Sequence, residues 1–234
     1  MSKSDFKRIM FAGPSGYGKT LLSKWLSDET NIEWVSGSVS DLIPDTKSMT
    51  HKDMLSRDST ELYREDYEIL NLRNKMFRHK DSFITDRSYI DSAAYFLYKQ
   101  ADKVPGCEIE QFFSYCNMLL CQQCDLLIML HFVPAMINKW VTEDNNKRIT
   151  NNFFQAEISY LMKYVLDYFG FRGITDHEYS KSNKHWWSQF IRPEYSIYGF
   201  EHGEIDSVYG NTQVLIINEP NLDIRKSILS SYII

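Results

Sequence analysis

The sequence predicts a three-layer α/β/α fold around a five-stranded parallel sheet. Short apolar runs recur at 8–12, 32–35, 82–85, 125–132 and 213–217. Amphipathic stretches with apolar residues at helical spacing lie between them. Strands that alternate with helices give a parallel sheet covered on both faces, and such strands are apolar throughout.

The first run (RIMFA) ends at Gly13 and reads as a buried strand. A helix follows, with Leu21, Leu22, Trp25 and Leu26 assigned to its inner face. After the second strand, residues 36–58 are polar and read as a functional loop with short helical pieces. Asp58-Ser-Thr-Glu61 has capping-box form and opens a long helix to about Arg78. Leu62, Ile69, Leu72 and Met76 are placed near one face of it. The third strand ends at Asp86, and a helix from about Tyr89 to Lys99 comes next. Pro105-Gly106 marks a turn, and a helix from about Ile109 leads into the fourth strand. Phe154, Ile158, Leu161, Met162, Val165 and Phe169 recur at helical spacing, with Gly170 where a C-cap belongs. The last strand precedes a helix opened by Asn221.

With 234 residues, the chain reads as a single domain over 1–234. Residues 171–212 do not fit the alternation. They hold Trp186, Trp187, Phe190, Tyr195, Tyr198, Phe200 and Tyr209, and read as an aromatic-rich insertion or subdomain before the last strand. A net charge of −5 argues against a large sequence-independent footprint on nucleic acid. The longest purely apolar run, 126–130, is far too short to span a bilayer, so no membrane association is expected. The polar N-terminus lacks a signal-peptide core, so the expected location is the cytoplasm. Cys107, Cys116, Cys121 and Cys124 are then expected as thiols. The Cys121-Gln-Gln-Cys124 spacing lies on an apolar helical stretch and favours buried thiols over a metal site.

The chemistry-bearing motif is Gly13-Pro14-Ser15-Gly16-Tyr17-Gly18-Lys19-Thr20, a full match to the P-loop pattern between a strand and an amphipathic helix. Its glycines let consecutive N–H groups turn inward as an anion nest, and the helix N-terminus adds a favourable dipole. Lys19 places positive charge on the terminal phosphates of ATP or GTP, and the Thr20 hydroxyl can ligate Mg²⁺. Leu21 completes the nucleotide-binding segment. Asp86, at the carboxyl end of an apolar strand, is the second metal-site candidate, because ligands of open α/β sheets sit at that end. A helix N-cap is the competing role for Asp86.

On these residues the chain resembles the nucleoside and nucleotide kinases among P-loop proteins. The segment from Asp86-Arg87-Ser88 to Tyr95 resembles the Asp-Arg segment of thymidylate kinases and the acidic-Arg-Ser segment of deoxynucleoside kinases. The resemblance implies that Asp86 lies near Mg²⁺ and the acceptor, and that Arg87 contacts phosphates. It implies a basic lid over 139–148, with Arg148 on the transferring phosphoryl group, and adenine near Asn218-Glu219-Pro220. The architecture also resembles small kinases of tailed bacteriophages, some of which phosphorylate hydroxymethyluracil in DNA; the location would then be the host cytoplasm.

The acceptor side is expected from the loop after strand two and the long helix. Asp41 or Asp53 is a candidate to take the attacking hydroxyl's proton, and His51, Lys52 and Arg57 lie alongside. Arg64, Arg73, Lys75, Arg78 and Lys80 are read mostly as a solvated face. Three functions follow in order of preference. The first is a Mg-ATP-dependent kinase for a nucleoside or nucleoside monophosphate. The second is a DNA kinase, with DNA as substrate. The third is an ATPase switch acting on a protein partner, disfavoured because no arginine-finger sensor pattern is visible. The acceptor, the choice of ATP or GTP, and the assembly state, a homodimer included, stay open.

Overall fold

The computed structural model describes residues 6–43, 57–131, 152–170, 174–175 and 212–234. Among them, β1 (Arg8–Ala12), β2 (Trp34–Val35), β3 (Phe83–Thr85), β4 (Leu126–Leu130), β5 (Ile174–Thr175) and β6 (Gln213–Ile217) form one sheet. The helices are α1 (Lys19–Thr30), α2 (Val39–Leu42), α3 (Ser59–Phe77), α4 (Tyr89–Gln100), α5 (Gly106–Gln123), α6 (Asn152–Tyr168) and α7 (Leu222–Ile233).

The strand order is β2-β3-β1-β4-β6-β5, with every pairing parallel. The chain leaves β1 toward β3 and β2 on one side and toward β4 and β6 on the other. The carboxyl end of β1 is therefore the switch point, where open α/β sheets bind ligands.

Residue alternation along each strand divides the core in two. Ile9, Phe11, Ile84, Ile128, Leu215 and Ile217 pack with Leu22 and Leu26 of α1 and Leu229 and Ile233 of α7. Met10, Ala12, Phe83, Leu127, Met129 and Val214 face the other way, against α3, α4, α5 and α6. Both faces are covered, which is why the strands read as continuous apolar runs.

All five expected strands are present, and the two-residue β5 adds a sixth, pairing Ile174 with Leu215 and Thr175 with Ile216. It falls inside the stretch read as an insertion, and two residues are too few to show a strand signal. Most of the expected caps form. Asp58 Oδ1 accepts from Thr60 N at 2.8 Å and Asn221 Oδ1 from Asp223 N at 2.8 Å, while Gly170 adopts φ 80°. Helix α5 begins at Gly106, directly after Pro105, three residues before the expected start.

Two inner faces differ from expectation. Leu21 is 45% exposed, because at 100° per residue it sits one step around α1 from the buried Leu22. In α3 the buried stripe is Leu62, Asp66, Ile69, Leu70, Arg73 and Phe77, with Leu72 and Met76 only half-buried. Two charged residues are thus turned inward and partnered, Asp66 by Lys99 of α4. Arg73 is accordingly not part of a solvated face. Cys116 and Cys124 are buried, and burial pushes both thiols above their ordinary pKa.

Candidate active site

β1 delivers the chain into a loop whose glycines carry the backbone through conformations other residues avoid. Gly13, Gly16 and Gly18 have φ of 146°, 83° and 81°. Gly13 is held doubly, because a Cβ there would lie 2.6 Å from the Leu130 carbonyl oxygen at the end of β4. Gly13→Ala is therefore expected to destabilise the fold by about 2–4 kcal/mol, combining a forced positive φ with overpacking against backbone. A thermal midpoint lowered by several degrees, together with weakened nucleotide binding, checks this; an unchanged midpoint would refute it.

The loop ends at Gly18, the N-cap of α1, whose side chain offers no capping oxygen. The first N–H groups of α1 consequently face the loop's concavity, where an anion can take them. The buried Lys19 bends back so that Nζ donates to the carbonyl oxygens of Gly13 and, at 2.8 Å, Pro14. The same ammonium lies 3.9 Å from Asp91 Oδ1.

Thr20 Oγ1 donates to Asp86 Oδ2 at 2.5 Å, joining the start of α1 to the end of β3. Asp86 is 3% exposed, and its other oxygen accepts from Gly37 N at 3.2 Å. The capping role belongs elsewhere. Ser88 is the N-cap of α4, and Asp91 Oδ2 accepts from Ser88 N at 3.0 Å and from Ser88 Oγ at 2.8 Å. Asp86 is thus free of helix capping and faces the P-loop. A hydroxyl and a carboxylate converging beside the glycine-lined loop are the oxygen donors a hard divalent cation such as Mg²⁺ takes, so these residues fit that ion. Arg87 Nη1 donates to the Asp86 carbonyl oxygen at 3.2 Å.

The structure therefore brings Gly13 to Thr20, Asp86 and Arg87 together. Asp41 is exposed on α2 and its Oδ2 accepts from Ser36 Oγ at 2.6 Å. Arg57 pairs with Glu65 and, at 3.7 Å, with Glu61, both on α3. His51, Lys52, Asp53, Arg148, the 139–148 stretch and the aromatic residues of 176–211 lie outside the described residues.

Other residues also meet at this end of the sheet. Gln155 of α6 donates Nε2 to Ser15 O at 2.9 Å. Arg225 of α7 is buried; its Nη1 donates to Tyr17 O at 2.7 Å and its Nε to Glu219 O. One arginine thus ties the P-loop to the loop after β6. Arg73 of α3 reaches Gly37 and the start of α4. At the end of β4, burial and then Lys163 lower the His131 pKa to about 4, so its imidazole, bonded to Ser159 Oγ at 2.8 Å, is neutral at pH 7. Among the described residues, no helix is long and apolar enough to cross a membrane.

Thymidylate kinase from Candida albicans superposes with a TM-score of 0.55 at 14% identity, covering 97% of this chain and 92% of that one. That likeness shows the fold: a three-layer P-loop α/β/α domain. Deoxyadenosine kinase from M. mycoides, solved with the products dCMP and dCDP, gives a TM-score of 0.49 at 14% identity, over 68% of this chain and 83% of that chain. The YorR protein of Bacillus subtilis, in complex with phosphorylated GDP, gives 0.43 at 17% identity, over 70% and 81%. No curated protein sequence matches the chain. A family model described as an AAA domain matches residues 8–176, well over half the chain, and it spans both the P-loop and the Asp-Arg segment. The chain therefore belongs to that AAA domain family of P-loop proteins.

Proposed function

We propose that this protein is a Mg-ATP-dependent phosphotransferase acting on a nucleoside or nucleoside monophosphate. The observation that carries the reading is the contact between Thr20 Oγ1 and Asp86 Oδ2, made beside Lys19 and the open N-terminus of α1. The fold shared with thymidylate kinase supports it, with Arg87 following Asp86 as in that family's Asp-Arg segment.

The roles follow from position. The N–H groups of the loop and of α1 take the phosphates of the donor, and Lys19 leaves the Gly13 and Pro14 carbonyls to meet the terminal ones. Thr20 and Asp86 would hold the metal, which would neutralise charge on the phosphate oxygens. In the transfer, a bond forms between the acceptor oxygen and the terminal phosphorus while the bond to the bridging oxygen breaks. Arg87 adds positive charge on the phosphate side, and Arg148 is proposed to do the same from the lid. Asp41 or Asp53 is proposed for the acceptor's proton, and His51 and Arg57 are proposed as further acceptor-side residues.

Two other readings stay in view. The match to an AAA domain family leaves room for an ATPase switch, here proposed to act on a protein partner. The aromatic-rich 171–212 stretch favours a kinase for a modified base in DNA. One experiment separates all three. Purified protein is incubated with labelled ATP and a panel of nucleosides, nucleotides, and plain and hydroxymethylated DNA. Label on a free nucleoside or monophosphate is the expected outcome. Label only on hydroxymethylated DNA would support the DNA kinase, and hydrolysis indifferent to every acceptor would support the ATPase switch.

A further inference from the structure

Arg73 of α3 is 2% exposed, and each of its hydrogen bonds goes to an uncharged oxygen. Nε and Nη2 donate to Gly37 O at 3.2 and 2.9 Å, and Nη1 donates to Ser88 O at 3.4 Å and to Ser92 Oγ. Among the described residues no carboxylate lies within 4 Å of it. A buried guanidinium with no direct ion pair, its charge offset only at longer range by Asp91, is an expensive way to fill space, and an aliphatic side chain of similar volume packs there at lower cost. What it supplies is geometry, because one rigid fork grips the loop after β2 and the first turn of α4 together. Those two segments flank Asp86 and Arg87.

The grip passes to Asp86 through one residue. Gly37 lies so close to the end of β3 that a Cβ would come within 2.7 Å of Arg87 Cβ and 2.9 Å of Thr85 Oγ1. Its carbonyl is taken by Arg73, and its N–H is aimed at Asp86 Oδ1, 3.2 Å away. Thr20 occupies the other oxygen of the same carboxylate. Asp86 is thus oriented by two donors, one of which is set in place by Arg73.

We propose that Arg73 is a positioning residue for the metal site: through Gly37 it fixes the orientation in which Asp86 meets a nucleotide-bound divalent cation. Its own donors go to Gly37, Ser88 and Ser92, so the role assigned to it acts through Gly37. The inference rests on the phosphotransferase reading, but its test does not need the acceptor.

The test compares ATP binding with and without Mg²⁺, and amide exchange at Gly37, in wild type, Arg73→Met, Arg73→Lys and Ser92→Ala. In Arg73→Met, the Mg²⁺ concentration that half-saturates the strengthening of ATP binding should rise about tenfold, the low end of what losing an outer-shell partner costs. Metal-free ATP binding should stay within about twofold, since the P-loop is untouched, and the Gly37 amide should exchange faster. Arg73→Lys should recover little, because a single ammonium cannot replace the fork. Should Arg73→Met not fold, Ser92→Ala removes one of the same hydrogen bonds and should shift the Mg²⁺ dependence about two- to threefold in the same direction. Unchanged Mg²⁺ dependence in every variant that folds, or equal losses of metal-free and metal-dependent binding, would overturn this inference alone. A wild-type protein that binds no nucleotide would overturn it together with the proposed function.

Discussion

Lys19→Ala is expected to lower phosphoryl transfer by at least about a thousandfold while the protein stays folded. A preorganised cation at the terminal phosphates is worth roughly 4 kcal/mol in the transition state, and about 1.4 kcal/mol corresponds to each factor of ten. The fold survives because Gly13 and Asp91, which the lysine meets, keep other support. The Gly13 backbone is held against Leu130, and Asp91 keeps both hydrogen bonds from Ser88 on its other oxygen. The loss in stability should be about 1–3 kcal/mol, the consequence of leaving buried acceptors without a donor. Turnover and circular dichroism on the same preparation separate the two effects. Wild-type transfer in this variant would show that the loop is not the phosphate site.

The parts of this molecule legible in the sequence are those written in local spacing. The strand runs, the glycines of the P-loop, and the Asp58, Asn221 and Gly170 caps each depend on a few neighbouring residues and the backbone. Asp86 was legible for a related reason, since an apolar strand followed by an acid marks the carboxyl edge of a sheet. Arg73 was not, because its burial depends on a loop thirty-six positions away. A local trace existed all the same. Arg73 follows Ile69 and Leu70 and precedes Phe77 at helical spacing, so it occupies an inward position on α3. Its charge alone points to solvent, while its position points inward. Arg225 hid for the same reason, joined to Tyr17 from the far end of the chain. Sequence spacing records which face a residue occupies, but not whether a distant carbonyl waits there.

Asp86→Asn is expected to slow turnover about a hundred- to a thousandfold and to raise the Mg²⁺ requirement, with little change in stability. The substitution is nearly isosteric, and its hydrogen bonds can be rebuilt. The asparagine carbonyl can accept from Gly37 N, while its NH₂ donates to the Thr20 hydroxyl, which serves as acceptor in place of donor. Packing around a site this buried is therefore preserved. What disappears is the negative charge, the property an amide cannot supply to a hard cation. If Asp86 served only to brace the end of β3, the rebuilt bonds would suffice and kinetics would match wild type. Turnover titrated with Mg²⁺ at saturating ATP distinguishes these outcomes. A steep fall in rate, partly relieved by high Mg²⁺ and accompanied by a wild-type thermal midpoint, assigns the carboxylate to chemistry. Wild-type kinetics at every Mg²⁺ concentration would return it to structure.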